Sequence, residues 1–322
     1  MRIRWLPLLA VLALTACAAP SPTLSPLPSP SRPPVRPTAT PIVAQEHYLA
    51  GRAHRAAGDT HQALAAFSRA VAADPYLAPA YVERGTIYLK EGDYDAALAD
   101  AQGALEADPD HALAHVLLGE VLRLGFDDPV QALRVYERAV RLDPTLKEMT
   151  FPARWRAAVA AGRPDRMIAL ANEYLNAHPE DPFSAYYLSR ALMARGSRRA
   201  AIETLTEAIE IGGGRAALWF ALGQAYAAER AWSEAGLSYE QARALTERGD
   251  NSLALISDHP TADLSAALGE AYVYTGRCTD AQAMLNHALA IGPDRPMLHT
   301  LIGQALICQT PTPTPTPYPW RQ

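Results

Sequence analysis

Nine histidines and three cysteines are among the side chains in this 322-residue chain that could ligate a metal or act as nucleophiles. His47, His54 and His61 recur at intervals of seven, and His111 and His115 stand four apart on a helical run. Ligation needs three or four donors converging on one point. His47, His54 and His115 instead fall where the surrounding pattern places aromatic or bulky packing residues, so the reading is one with no metal site. The chain carries no glycine-rich phosphate loop, Gly-x-Ser-x-Gly turn, His-Glu-x-x-His helix or Cys-x-x-Cys pair. Arg248-Gly249-Asp250 matches an integrin-binding tripeptide and equally reads as a glycine helix stop. A net charge of −5 gives no electrostatic case for nucleic acid. The expectation is therefore a protein that is not an enzyme and holds no cofactor.

What must position any site is a repeat. Pro75, Pro109, Pro144 and Pro179 recur at steps of 34 or 35 residues, with Pro293 continuing the series later. A fixed period of this size signals a solenoid, in which each unit buries its apolar face only against its neighbours. The second unit reads Ala78-Pro79-Ala80-Tyr81, Gly85, Tyr88, Gly92-Asp93-Tyr94, Ala97, Ala101, Ala104 and Asp108-Pro109. Two amphipathic runs flank Gly92, and Asp-Pro closes the second because proline cannot continue a helix. The small residues Gly85, Ala97 and Ala104 let antiparallel helices approach while Tyr81 and Tyr88 fill volume.

This pattern resembles the tetratricopeptide repeat from about Ala44 to Cys308. The small slot of the first helix is Gly51, Gly85, Gly119, Ser189, Gly223 and Gly269. The alanine slots of the second helix are Ala63, Ala97, Ala132, Ala201, Ala235 and Ala281, then Ala70, Ala104, Ala139, Ala208, Ala242 and Ala288. The resemblance implies an all-α fold, a right-handed superhelical solenoid of about seven helix–turn–helix units plus a C-terminal capping helix. Units 1–6 occupy 42–248, an insertion 249–261, unit 7 262–295 and the cap 296–309. In the fourth unit Trp155, Met167 and Tyr174 fill all three small slots. Overpacking of that kind costs about 1–3 kcal/mol unless the backbone moves apart. Either the fourth helix pair splays and bends the array, or nearby small residues such as Ala171 restore ordinary packing.

The first 16 residues combine Arg2 and Arg4 with a short apolar run and a small-residue cleavage site, which reads as a secretory signal. Leu14-Thr15-Ala16-Cys17 resembles the bacterial lipobox, which implies a lipid on Cys17; an ordinary signal peptide with an incidental cysteine is the alternative. Removing the signal takes away two positive charges and moves the net charge from −5 to −7. Residues 17–41 then form a proline-rich linker. At about 3.1 Å per residue in a polyproline II conformation, it reaches roughly 70 Å from a membrane. Residues 310–322 form a Thr/Pro-rich tail read as disordered. The expected location is extracytoplasmic, lipid-anchored to a bacterial cell membrane.

With Cys17 lipidated, Cys278 and Cys308 remain as an even pair in an oxidising compartment. The repeat arrangement implied by the resemblance puts both at one end of the stack, as a disulfide or as two buried thiols. In the tetratricopeptide repeat family, ligands lie along a concave groove lined by the first helices. Its slots here map to Tyr48, Arg52, Arg156, Tyr186, Tyr187, Arg190, Met193, Phe220 and Gln224. An arginine–aromatic groove suits a protein or peptide, and an ordinary solvated surface with tyrosines packed between helices is the bland alternative. Val82, Glu83, Thr86, Val116 and Glu120 do not supply the lysines and asparagines by which some family members clamp a C-terminal carboxylate. The expected function is a membrane-tethered scaffold of a bacterial envelope assembly. The alternative is a glycan or solute receptor using exposed tyrosines, Trp155 and Arg156.

Overall fold

The computed structural model describes residues 41–212 and 214–309. The signal segment, Cys17, nearly all of the linker and the Thr/Pro tail lie outside the described residues. Those described form fifteen α-helices joined by short turns. The pairs are α1 (Pro41–Ala56) with α2 (Thr60–Ala73), α3 (Ala78–Glu91) with α4 (Tyr94–Ala107), and α5 (Ala112–Leu124) with α6 (Pro129–Leu142). Next come α7 (Leu146–Ala160) with α8 (Pro164–Ala177), α9 (Phe183–Ala194) with α10 (Arg198–Gly212), and α11 (Ala216–Ala228) with α12 (Trp232–Glu247). Finally α13 (Pro260–Tyr274) pairs with α14 (Cys278–Ile291), and α15 (Pro296–Gln309) follows alone.

Local chemistry explains the beat. Every pair turns over through one left-handed residue: Gly58, Gly92, Gly162, Gly196 and Gly276 in five, Asp127 (φ 47°) and Arg230 (φ 62°) in the others. Glycine fits because it has no Cβ to clash. Asp59, Asp93 and Asp128 then cap α2, α4 and α6, each accepting from the backbone N–H three residues on. At the far ends Asp74, Asp108 and Asp143 each accept from the N–H two residues on, which folds the Asp-Pro segment towards the next pair.

Packing within a pair is a ring set into a small slot. A Cβ added to Gly51, Gly119 or Gly223 would sit 2.6, 2.6 or 2.4 Å from the rings of Phe67, Tyr136 or Tyr239. Leu285 plays the same part against Gly269. The second pair lacks a ring, since Ala101 stands at that slot. Its place beside Gly85 is taken by Asp100 and Leu117. Asp100 is gripped from both sides by Arg84, at 2.9 and 2.6 Å, and Arg84 also donates to Ser68 of α2 at 3.1 Å.

The fourth pair inverts the rule. Trp155 stands at the small slot and Ala171 at the ring slot. Phe151, Trp155, Tyr174 and Tyr187 cluster, with Tyr187 about 4.9 Å, centroid to centroid, from each of the other three. α7 and α8 meet along a much shorter seam than the other pairs, and α8 leans on α9 instead. The fourth pair is splayed.

α3 reaches α5 and α5 reaches α7; α9 reaches α11, α11 reaches α13 and α13 reaches α15. No even-numbered helix makes a comparable contact with the next even one. The odd helices thus line the crowded, inner side of the stack. The backbones of α1 and α3, and of α7 and α9, stay further apart, although Phe151 and Trp155 of α7 still pack on the Tyr187 ring of α9.

Candidate docking groove

Residues one position past each small slot project from the inner row: Arg52, Thr86, Glu120, Arg156, Arg190, Gln224 and Glu270. Only the fourth and fifth pairs place two like charges side by side. Arg156 is exposed on α7, and its positive charge opposes the upward push that burial gives the Tyr187 hydroxyl, to which Tyr186 and Asp181 add. Arg190 lies over the Tyr186 ring, 5.9 Å from its centroid, and points a guanidinium nitrogen at the hydroxyl 3.4 Å away. Burial raises the Tyr186 pKa, and Arg190 works against that rise. Arg52 sits likewise 5.9 Å from the ring centroid of half-buried Tyr48. Gln224 is half-buried on α11. At the seventh pair, burial alone raises the Glu270 carboxyl above its usual range.

Two groove assignments are corrected. Tyr186 and Phe220 are each only 6 % exposed. Their rings pack between helices, Tyr186 against Phe183 and Tyr187, Phe220 against Tyr239, so neither offers a surface to a partner. The slot three residues before the small one faces the neighbouring helix rather than the groove. Tyr187 is half-buried within the aromatic cluster. Trp155 is buried there too, so it cannot stack against a sugar.

Beside the aromatic cluster, α7, α8 and α9 leave a partly open depression of about 300 Å³. Met167 and Pro164 of α8, Val159 of α7, and Arg190, Met193 and Ala194 of α9 line it. Met167 occupies an alanine slot, and its bulk belongs to the overpacking that parts α7 from α8. Arg190 and Met193, assigned to the groove from their register, lie in the wall of this depression.

Other candidate groups have local duties. His111 caps α5 by accepting from the Ala114 N–H, and His115 bonds the Pro109 carbonyl at 3.0 Å. Among the described residues no three His, Cys, Asp or Glu side chains converge on a point. Asp250 of the Arg-Gly-Asp triplet is engaged. It accepts from the N–H groups of Ala216 and Ser252 at 3.0 and 2.8 Å, while Ser252 accepts from that of Ala217. The insertion thus supplies the cap that α11 lacks on its own strand of sequence. Cys278 and Cys308 are disulfide-bonded, with Cα atoms 5.8 Å apart, a separation normal for such bonds. The bond ties α15 to the start of α14.

Family models described as tetratricopeptide repeat match residues 82–147 and 186–252, and a second such model matches 47–75, together about half of the chain. The chain belongs to the tetratricopeptide repeat family. Among solved structures, a tetratricopeptide repeat protein from Parabacteroides merdae is 14 % identical with a TM-score of 0.57, covering 82 % of this chain and 99 % of its own. The C-terminal part of a repeat protein from Cytophaga hutchinsonii is 17 % identical with a TM-score of 0.55, covering 80 % and 99 %. The APC/C hetero-tetramer Cut9–Hcn1 is 17 % identical with a TM-score of 0.51, covering 82 % of this chain and 48 % of the other. No curated protein matches the sequence. These likenesses establish the tetratricopeptide repeat fold. The two longest family matches stop at 147 and resume at 186, on either side of the splayed pair.

Proposed function

We propose that this chain is a non-enzymatic scaffold, tethered outside the cytoplasmic membrane by a lipid on Cys17, that docks proteins of a bacterial envelope assembly on its inner row. The observation that carries the docking reading is the opening between α7 and α9, where an apolar cleft meets Arg156 and Arg190 on a rigid helical frame. The tether reading draws on the apolar leader, the lipobox-like Leu14–Cys17 and the bonded Cys278–Cys308 pair, since disulfides persist in oxidising compartments. Among the described residues no helix is long and apolar enough to cross a membrane. The receptor reading has lost Trp155 to the core.

Affinity capture from native membranes tests the docking reading, comparing wild type with Arg156→Ala/Arg190→Ala. Defined proteins retained by the wild type and lost by the variant place docking on the inner row. The same set retained by both moves docking elsewhere on the chain. No protein retained by either removes the scaffold reading. Labelling with palmitate tests the anchor: incorporation abolished by Cys17→Ser supports it, and a released, unlabelled wild type refutes it.

A further inference from the structure

The turn between α7 and α8 breaks a local rule that the earlier turns keep. Asp59, Asp93 and Asp128 cap α2, α4 and α6, whereas Arg163 stands at that position before α8 and makes no capping hydrogen bond. Replacing a capping Asp costs about 1 kcal/mol. A cation at the positive end of the helix dipole costs more. Arg277 occupies the same position before α14, but it is held by Glu240 and Asp280 and lies 3.9 Å over the Tyr272 ring. Arg163 is exposed, and among the described residues no carboxylate lies within ion-pair distance of it. Local stability given up without a structural return marks a functional position.

Arg163 sits between Gly162 and Pro164, both of which line the cleft. Exposed Arg195 follows the lining residue Ala194, and Arg190 is itself in the wall. Arg156 lies one helical turn from the lining residue Val159. None of these four guanidiniums meets a carboxylate among the described residues, whereas Arg166 and Arg198 nearby are engaged with Glu137 and Glu229. Asp165, in the first turn of α8, is the one acid at this turn. The matching turns of the first three pairs carry Asp59, then Glu91 and Asp93, then Asp127 and Asp128. On a chain of net charge −5, one unpaired arginine lines the cleft and three more stand within three residues of its lining residues along the chain.

We infer that the cleft between α7 and α9 takes an acidic peptide segment, one apolar side chain seated on Met167, Met193 and Val159 and its carboxylates met by Arg190, Arg163, Arg195 and Arg156. This rests on the docking reading and names the chemistry of its partner. The volume, at the small end of ligand sites, suits a single side chain. Guanidiniums engage carboxylates through parallel hydrogen bonds, and an apolar floor excludes water beneath them.

The test is fluorescence anisotropy on the full chain with a labelled peptide of glutamates around one leucine. Saturable binding is expected to weaken with salt, about tenfold on replacing the leucine with serine, and about tenfold in Arg190→Gln. Arg163→Asp restores the capping residue, so it should melt higher than wild type yet bind at least about tenfold more weakly; a folding defect cannot produce that pair of results. No binding, or equal affinity in wild type and both variants, overturns the inference. Binding to phosphatidylglycerol vesicles but not to the peptide assigns the charge to a lipid surface and also overturns it. Membrane partners lost by Arg156→Ala/Arg190→Ala but retained by Arg163→Asp, with no binding of the acidic peptide, would leave the docking reading standing and remove this one.

Discussion

The carboxylate of Asp250 accepts a hydrogen bond from the backbone N–H of Ala216, 3.0 Å away and 34 residues earlier in the chain. Burial pushes its pKa up, but the hydrogen bonds from Ser252 and Ala216 outweigh this and leave it below the ordinary value. A depressed carboxyl contributes stability above its unfolded pKa, and the contribution disappears as pH falls through the folded value. Asp250→Ala should lose about 1–2 kcal/mol at neutral pH, as for a lost helix cap. Denaturant curves should show the gap from wild type closing below about pH 4. A gap that persists unchanged at low pH would contradict the capping role.

The contact between Gly223 and Tyr239 should be intolerant of volume. Gly223→Val puts a Cβ 2.4 Å from the ring and should cost about 1–3 kcal/mol or more. Tyr239→Leu in the same chain should return part of that loss. The check is a double-mutant cycle by thermal melting, and strict additivity would show that the two residues do not share the slot.

Arg230 holds φ 62° where five other pairs use glycine. Arg230→Gly should raise stability by about 1 kcal/mol, because the left-handed conformation costs a side chain about that much. A lower melting temperature would mean that the arginine makes contacts worth more than its strain.

The Cys278–Cys308 bond closes a span of 30 residues at the end where helices fray. On chain entropy it should contribute about 3–4 kcal/mol. Dithiothreitol or Cys308→Ser should lower the melting temperature of the last two helices, followed by hydrogen exchange in α14 and α15. Unchanged protection would rule the bond out as a stabilising element.

The slots that define the repeat were legible because they depend on spacing alone. The alanines at 63, 97, 132, 201, 235 and 281 are all fully buried as their period demands. The fourth pair was legible as a departure, since Trp155, Met167 and Tyr174 violate three slots at once. Which of its two readings holds needed coordinates, because the outcome turns on how α8 divides its contacts between α7 and α9. Groove residues were harder. Arg156 is exposed and Arg190 half-buried, while Tyr186 and Phe220, on the strip one turn before Arg190 and Gln224, enter the interhelical seam. Periodicity alone does not separate these neighbouring strips of one helix. The capping role of Asp250, visible in sequence only as part of the Arg-Gly-Asp triplet, depends on a partner in another helix. Arg163 was within reach of inspection, through comparison with Asp59, Asp93 and Asp128.

A chain of look-alike modules risks assembling in the wrong order, because any small slot can receive any ring. The Arg84–Asp100 fork answers that risk. It spans three helices through Ser68, and the fourth pair has a counterpart in buried Arg154, which bonds Glu173 across α7 and α8. Were α3 to pair with any helix other than α4, a nearly buried carboxylate would be left without its guanidinium, at a cost of about 3–5 kcal/mol. The fork thus matches α3 to α4, and its third bond, to Ser68, ties the second module to the first.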